Sequence, residues 1–254
     1  MKVPISKIGD IQKVDVAKSS GIVFYDDFAR ICTVIKENNA HDNRDDKSPY
    51  RMAELFKGNW KDYNNHFIVQ AAGCPLKCPY CYVDNLKADS FMSADELTDK
   101  FIEFKNKAEK EFDIKLKVFH FMGGAPAAYP MFWKELRDSL DKKGLNEVVL
   151  FSDTILVEDY FFKNAPWKYL NLHHFLLAGC LKGTNKENFI NNTGQDLFNQ
   201  SLTELKNYLA FKNFYLTLIN FEAKDLSLIT KIIPKERIDY LSVINYEVTK
   251  KKWR

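Results

Sequence analysis

From residue 65 onward, apolar, β-branched or aromatic runs recur at His66–Ala71, Lys115–Phe121, Glu147–Phe151, Leu170–Leu177, Phe214–Ile219 and Tyr240–Ile244. These read as strands. The segments between them have helical character. Ser93-Ala94-Asp95-Glu96 is a capping-box start, followed by Leu97, Phe101, Ile102 and Phe104. Phe132, Trp133, Leu136 and Leu140 mark a second helix, with Gly144 as its stop. Val157–Phe162 marks a third and Leu197–Leu209 a fourth. Short strands alternating with helices predict βαβ units and a parallel sheet. The periodicity allows a partial barrel or an open doubly wound sheet.

Residues 1–64 lack that rhythm and read as an N-terminal extension ahead of a core domain at 65–254. Gly21–Tyr25 predicts a strand and Phe28–Ile35 a short helix carrying Cys32. Lys36–Tyr50 has the composition of a loop, and Arg51–Phe56 with Trp60 returns to apolar content. No internal repeat or low-complexity linker interrupts the chain.

Composition narrows the class. With 254 residues, 46% hydrophobic and 28% charged, the chain can bury one substantial core. A formal charge of +3 does not argue for nucleic acid, and the basic end Lys250–Arg254 reads as a solvated terminus. No apolar run reaches the roughly 18 residues of a membrane span. Met1–Ser6 lacks the apolar core of a signal peptide, so a cytoplasmic location is expected. Thiols stay reduced there, which counts against disulfides.

That matters because three of the five cysteines sit together in Gly73-Cys74-Pro75-Leu76-Lys77-Cys78-Pro79-Tyr80-Cys81-Tyr82, at spacing CxxxCxxC. Clustered thiols mean metal, disulfide or redox chemistry. Structural zinc normally takes four ligands, and the nearby candidates for a fourth are His66 and His120. Pro75 and Pro79 keep the loop out of a helix, which suits wrapping a bulky cluster. A cubane held by three thiolates leaves one iron open to a small molecule.

The loop resembles the signature of the radical S-adenosylmethionine (radical SAM) enzymes, CxxxCxΦC with an aromatic Φ, here Tyr80. The wider string Gln70–Asn85 is most similar to members that activate glycyl-radical enzymes. The resemblance implies a partial (β/α)6 TIM-type barrel and a 4Fe–4S cluster on Cys74, Cys78 and Cys81. It also implies S-adenosylmethionine as the second cofactor, cleaved reductively to a 5′-deoxyadenosyl radical that abstracts a hydrogen atom from the substrate. Tyr80 would wall the cluster. Gly123-Gly124-Ala125-Pro126 resembles the family's GGEP stretch, with glycines for close backbone approach and Ala125 in place of the glutamate. Ser152 and Asp153 stand where the family places polar side chains that reach the ligand; both residue types also cap helices. Cys180-Leu181-Lys182-Gly183-Thr184 resembles the activases' DLKG, which would turn Lys182 toward the ligand and puts Cys180 in place of the aspartate. Cys180 is a candidate radical-relay thiol or a small buried hydrophobe.

The partners implied are a reductant such as flavodoxin or ferredoxin and a substrate. That substrate is a protein or peptide, as in glycyl-radical activation, or a small molecule undergoing rearrangement, epimerisation or dehydration. A non-catalytic iron–sulfur or zinc module is the reading of another class. His173-His174, expected inside the fourth strand, would point one imidazole to each face.

Overall fold

The computed structural model describes residues 1–9, 21–35, 46–81, 83, 87–157, 171–220 and 226–241. The loop assigned to 36–45, the helix assigned to 158–162, and Tyr82, Asp84, Asn85 and 242–254 lie outside those residues.

The strands are β1 (Lys2–Ile5), β2 (Ile22–Tyr25), β3 (Ala29–Thr33), β4 (Asn65–Gln70), β5 (Ser90–Ser93), β6 (Val118–Met122), β7 (Val149–Thr154), β8 (Phe175–Leu181), β9 (Phe214–Ile219) and β10 (Ile238–Leu241). The helices are α1 (Ser48–Phe56), α2 (Ala94–Phe112), α3 (Pro130–Lys142), α4 (Lys186–Thr193), α5 (Phe198–Tyr208) and α6 (Leu226–Thr230). Eight strands form one sheet in the order β10-β9-β8-β7-β6-β4-β3-β2. The six from β4 to β10 in that order pair in parallel, and β3 and β2 add antiparallel at one end. This is a partial (β/α)6 TIM-type barrel. β1 and β5 form a separate antiparallel ribbon.

Side-chain alternation divides the sheet into two faces. Phe67, Val69, Phe119, Phe121, Leu150, Phe175, Leu177, Leu216 and Leu218 meet the helices in one continuous core with Phe101, Phe104, Trp133 and Leu136. The other face is concave and holds Val118, Val149, Phe151, Leu176, Ala178 and Tyr215, against which Met52 of α1 and Tyr63 pack. The capping box at the start of α2 is present, with Ser93 Oγ accepting from Glu96 N and Ser93 N donating to the Glu96 carboxylate.

Two expectations change, and one helix is added. Phe28–Ile35 is not a helix: Ala29–Thr33 is strand β3, pinned on β4 from Ala29↔Val69 to Thr33↔Asn65. A helix there would give up that ladder and the burial of Ala29 and Ile31 against Phe67 and Val69. The fourth parallel strand starts at Phe175 and runs through Gly179 and Cys180 to Leu181. His173 and His174 therefore lie in the turn before it, with His174 at φ 45°. Finally, the polar run 186–193 is helix α4, capped by Asn185 at its start and by Gly194 in the left-handed region (φ 67°) at its end.

Candidate functional site

The cysteine loop leaves the carboxyl end of β4, where parallel α/β folds gather ligands. Backbone bonds to three other elements and one within the loop hold it. Ala71 N donates to Met122 O (2.7 Å), Ala72 N to Pro4 O of β1 (2.9 Å), Lys77 N to Thr193 O of α4 (2.8 Å) and Cys81 N to Cys78 O (3.0 Å). Gly73 takes φ 88°. The Gly123-Gly124 turn after β6 packs directly on this loop. A Cβ at Gly124 would stand 2.6 Å from Ala71 O and 2.9 Å from Gly73 O, and Gly124 adopts φ 48°. Any side chain there would push the loop away. Ala125 and Pro126 lead into a short 3₁₀ turn in which Ala125 O accepts from Ala128 N.

None of the five cysteines is joined in a disulfide. Burial pushes the Cys74 thiol up to about 12, and the neighbouring Cys78 and Cys81 add to the shift. Burial also raises Cys78. The thiols share a poorly solvated space with Lys182, which follows β8. Burial works to lower the Lys182 ammonium's pKa, but Tyr80, Cys180, Cys78 and Cys81 around it raise it overall. Lys182 Nζ also lies 5.7 Å from the centre of the Tyr80 ring, whose own pKa burial raises. The turn carrying Lys182 is built by α4. Asn192 Nδ2 donates to Lys182 O (3.0 Å), and Asn188 Oδ1 accepts from Thr184 N (3.1 Å).

Cys74, Cys78, Cys81, Tyr80, Cys180 and Lys182 thus come together, with Gly123–Pro126 behind them. Ser152 does not join them. It faces the outer layer, donating to Phe121 O (2.7 Å) and accepting from Trp133 Nε1 (3.0 Å). Asp153, the next residue, faces inward.

The concave face below the loop carries a polar network of which the sequence showed only parts. Asp153 Oδ2 lies 3.0 Å from His120 Nε2, His120 Nδ1 lies 3.4 Å from His66 Nδ1, and His66 Nε2 lies 2.9 Å from Tyr63 O. Every ring nitrogen of the two histidines is engaged here, so neither serves the cysteine loop as a fourth ligand. Burial drops the His66 pKa well below the ordinary histidine range, with His120 adding to the effect. Asp46, bonded to Ser48 N (3.0 Å), has its pKa raised by burial and by Asp153 nearby. Tyr215 is raised by burial and by Asp46, Asp153 and Asp239. Arg51 of α1 grips Asp239 with two nitrogens (2.8 and 2.6 Å) and lies 4.6 Å over the Tyr215 ring. Asp46, Arg51 and Tyr215 carried no sequence signal, because isolated polar residues in a loop, a helix and a strand look like surface.

Two further inward residues keep open polar atoms. Arg30 of β3 and Gln70 of β4 are 1% and 0% exposed. Arg30 Nε and Nη1 and both amide atoms of Gln70 have no hydrogen-bond partner among the described residues.

The donor set fits an iron–sulfur cluster: three clustered thiols, a buried cation to offset thiolate charge, and a glycine wall a Cβ would breach. Among the described residues, no three His, Cys, Asp or Glu side chains already close on a point for a single metal ion. A multi-iron cluster spreads its thiolates over separate irons and does not need one.

No protein-family model and no curated protein matches the chain. Among solved structures, that of TYW1 with a lysine–pyruvate adduct bound is similar over 92% of this chain and 80% of its own, with TM-score 0.56 and 13% identity. Streptococcus suis SuiB bound to precursor peptide SuiA matches 70% of this chain with TM-score 0.48 and 13% identity. SuiB bound to S-adenosylmethionine matches with TM-score 0.49 and 14% identity. The chain spans 38% and 40% of those two SuiB chains. The likeness to TYW1 establishes a shared fold. Among the described residues no helix is long and apolar enough to cross a membrane.

Proposed function

We propose that the chain is a radical SAM enzyme holding one 4Fe–4S cluster on Cys74, Cys78 and Cys81. The observation that carries this reading is the CxxxCxxC loop at the carboxyl end of the first parallel strand of a six-stranded half-barrel, with Gly124 packed against its backbone. When bound, the cluster supplies the electron that splits S-adenosylmethionine into methionine and a 5′-deoxyadenosyl radical, the agent of hydrogen-atom abstraction. The chain's own residues bind and exclude. Tyr80 covers the loop, Lys182 offsets its negative charge, and Gly123–Pro126 offers backbone to the cofactor's methionine part. Cys180 sits at the inward position of β8 beside Tyr80 and Lys182, a placement open to a relay thiol. A reductant of the flavodoxin or ferredoxin class supplies electrons, in a reducing compartment such as the cytoplasm.

Within this reading a small-molecule substrate is favoured over a protein. Helix α1 packs into the concave face and is tied to β10 through Arg51–Asp239, which closes part of the barrel interior on the face that also carries Asp153, His120 and Tyr215. The likeness to glycyl-radical activases rests on the string 70–85 and lapses at Ala125 and Cys180.

Anaerobic reconstitution tests the reading. The expected result is about four irons per chain and release of 5′-deoxyadenosine under dithionite, both lost in Cys78→Ala. Zinc in place of iron, or cleavage that survives Cys78→Ala, would overturn it.

A further inference from the structure

The concave face holds a charge that nothing in the described protein neutralises. Arg30 points inward from β3: its strand neighbours Ala29 and Ile31 pack into the helix-facing core, and its register partner is Ile68. Arg30 is 1% exposed, with Nε and Nη1 unpartnered among the described residues. Nη2 lies 3.8 Å from the sulfur of Met122. Beside it, Gln70 is fully buried on β4 in register with Met122, and neither its amide oxygen nor its nitrogen has a partner.

Burying one isolated guanidinium costs several kcal/mol, and an unpaired buried amide adds about 1–3 kcal/mol. Such groups persist where a ligand completes them. The donors left open are guanidinium and amide N–H groups, and guanidinium pairs best with a planar two-oxygen anion. The inward acids among the described residues have other partners: Asp239 is taken by Arg51, Asp153 by His120, and Asp46 accepts from Ser48 N.

We infer that Arg30 and Gln70 form a carboxylate-binding site inside the barrel, and that the proposed enzyme acts on a small organic acid whose carboxylate docks there. This rests on reading the barrel interior as the substrate chamber. Gln70 is the last residue of β4, and the cysteine loop follows it directly. A carboxylate held at Gln70 therefore leaves the rest of a small molecule within the chamber beneath that loop. Gln70 is in register with Met122, and further across the sheet Asp153 is in register with Ala178 and Ala178 with Tyr215. The acid's other end would thus meet Asp153 and Tyr215.

The test uses the full chain, Arg30→Met and Arg30→Lys, with sodium acetate as probe and sodium chloride as the ionic-strength control. In the wild type, acetate should raise Tm above the chloride control, because a ligand bound only to the folded state stabilises it. The rise should vanish in Arg30→Met. Without acetate, Arg30→Met should melt no lower than the wild type, since it removes an uncompensated charge. Affinity for S-adenosylmethionine should change less than about threefold, well short of the tenfold that marks a lost strong contact. The proposal is overturned if acetate gives no rise over chloride, or if the rise survives in Arg30→Met. It also fails if both variants melt well below the wild type, which would reveal a structural partner for Arg30. A loss of tenfold or more in S-adenosylmethionine affinity would assign the site to the cofactor's own carboxylate. The acetate arm needs neither iron nor turnover, so a chain that binds no iron fails the radical SAM reading and leaves this measurement intact.

Discussion

The two faces of one sheet are built on opposite rules. On the helix-facing side the strands present Phe, Leu, Val, Ile and Ala to a core that Phe101, Phe104, Trp133 and Leu136 complete. On the concave side the same strands carry Arg30, His66, Gln70, His120, Asp153 and Tyr215, nearly all buried, beside the apolar patch of Val118, Val149, Phe151, Leu176 and Ala178. The outer face gains free energy from area removed from water. The inner face spends it on desolvating polar groups, some of them left unpaired. Stability is thus concentrated on one side of the sheet and chemistry on the other, and substitutions can test that division.

The largest effect is expected from Phe67→Ala on the outer face. It should cost about 3–5 kcal/mol in denaturant unfolding while the iron bound per folded molecule stays unchanged. Next is Gly124→Ala. The φ of 48° and the contact with Ala71 O should cost about 1–3 kcal/mol, and the displaced loop should retain much less iron after reconstitution. Metal analysis at matched folded concentration separates the two.

The third prediction concerns pH. His66 is held neutral in the fold, whereas in the unfolded chain it ionises near 6.5. Below that pH the unfolded state takes a proton the folded state refuses. Stability should then fall by up to about 1.4 kcal/mol per pH unit and level off above pH about 7. Asp46, with its raised pKa, contributes a slope of the other sign: the unfolded carboxyl loses its proton near 4, below the folded one. Comparing the wild type with His66→Asn between pH 5 and 7 isolates the histidine, and an unchanged slope would refute its buried neutral state.

The smallest stability effect is expected at Asp153→Asn, about 1 kcal/mol, together with a fall in substrate turnover of roughly tenfold or more. If that variant unfolded as readily as Phe67→Ala, the division between the faces would fail.

The outer face was legible because it repeats. β9 falls where its apolar run predicts, and α2 opens at the Ser93–Glu96 box. The cysteine loop was legible because its chemistry lies in consecutive residues. The concave face was not, because its parts come from six strands and a helix and meet only through register. β3 shows why. Ala29-Arg30-Ile31-Cys32-Thr33 reads locally as helix, which would put Arg30 at the surface. Pairing with β4 overrides that preference and turns the guanidinium inward. The apolar run expected as the fourth strand ends at Leu177, yet the strand continues through Gly179 and Cys180 to Leu181. A Cβ at Gly179 would stand 2.6 Å from the Phe214 ring, so the glycine there admits a neighbouring side chain rather than a turn.

The ribbon of β1 and β5 bears on when the metal loop can be completed. Lys2 pairs with Ser93, Pro4 O accepts from Ala72 N, and Ser6 N donates to Gln70 O. The chain's first strand is therefore a clasp that closes only after β5 has left the ribosome. During synthesis Cys74, Cys78 and Cys81 emerge before the clasp is shut and lie open to whatever metal or oxidant is at hand. Iron delivery to this protein then competes with closure in time, and loosening the clasp should make the folded chain easier to load and easier to strip.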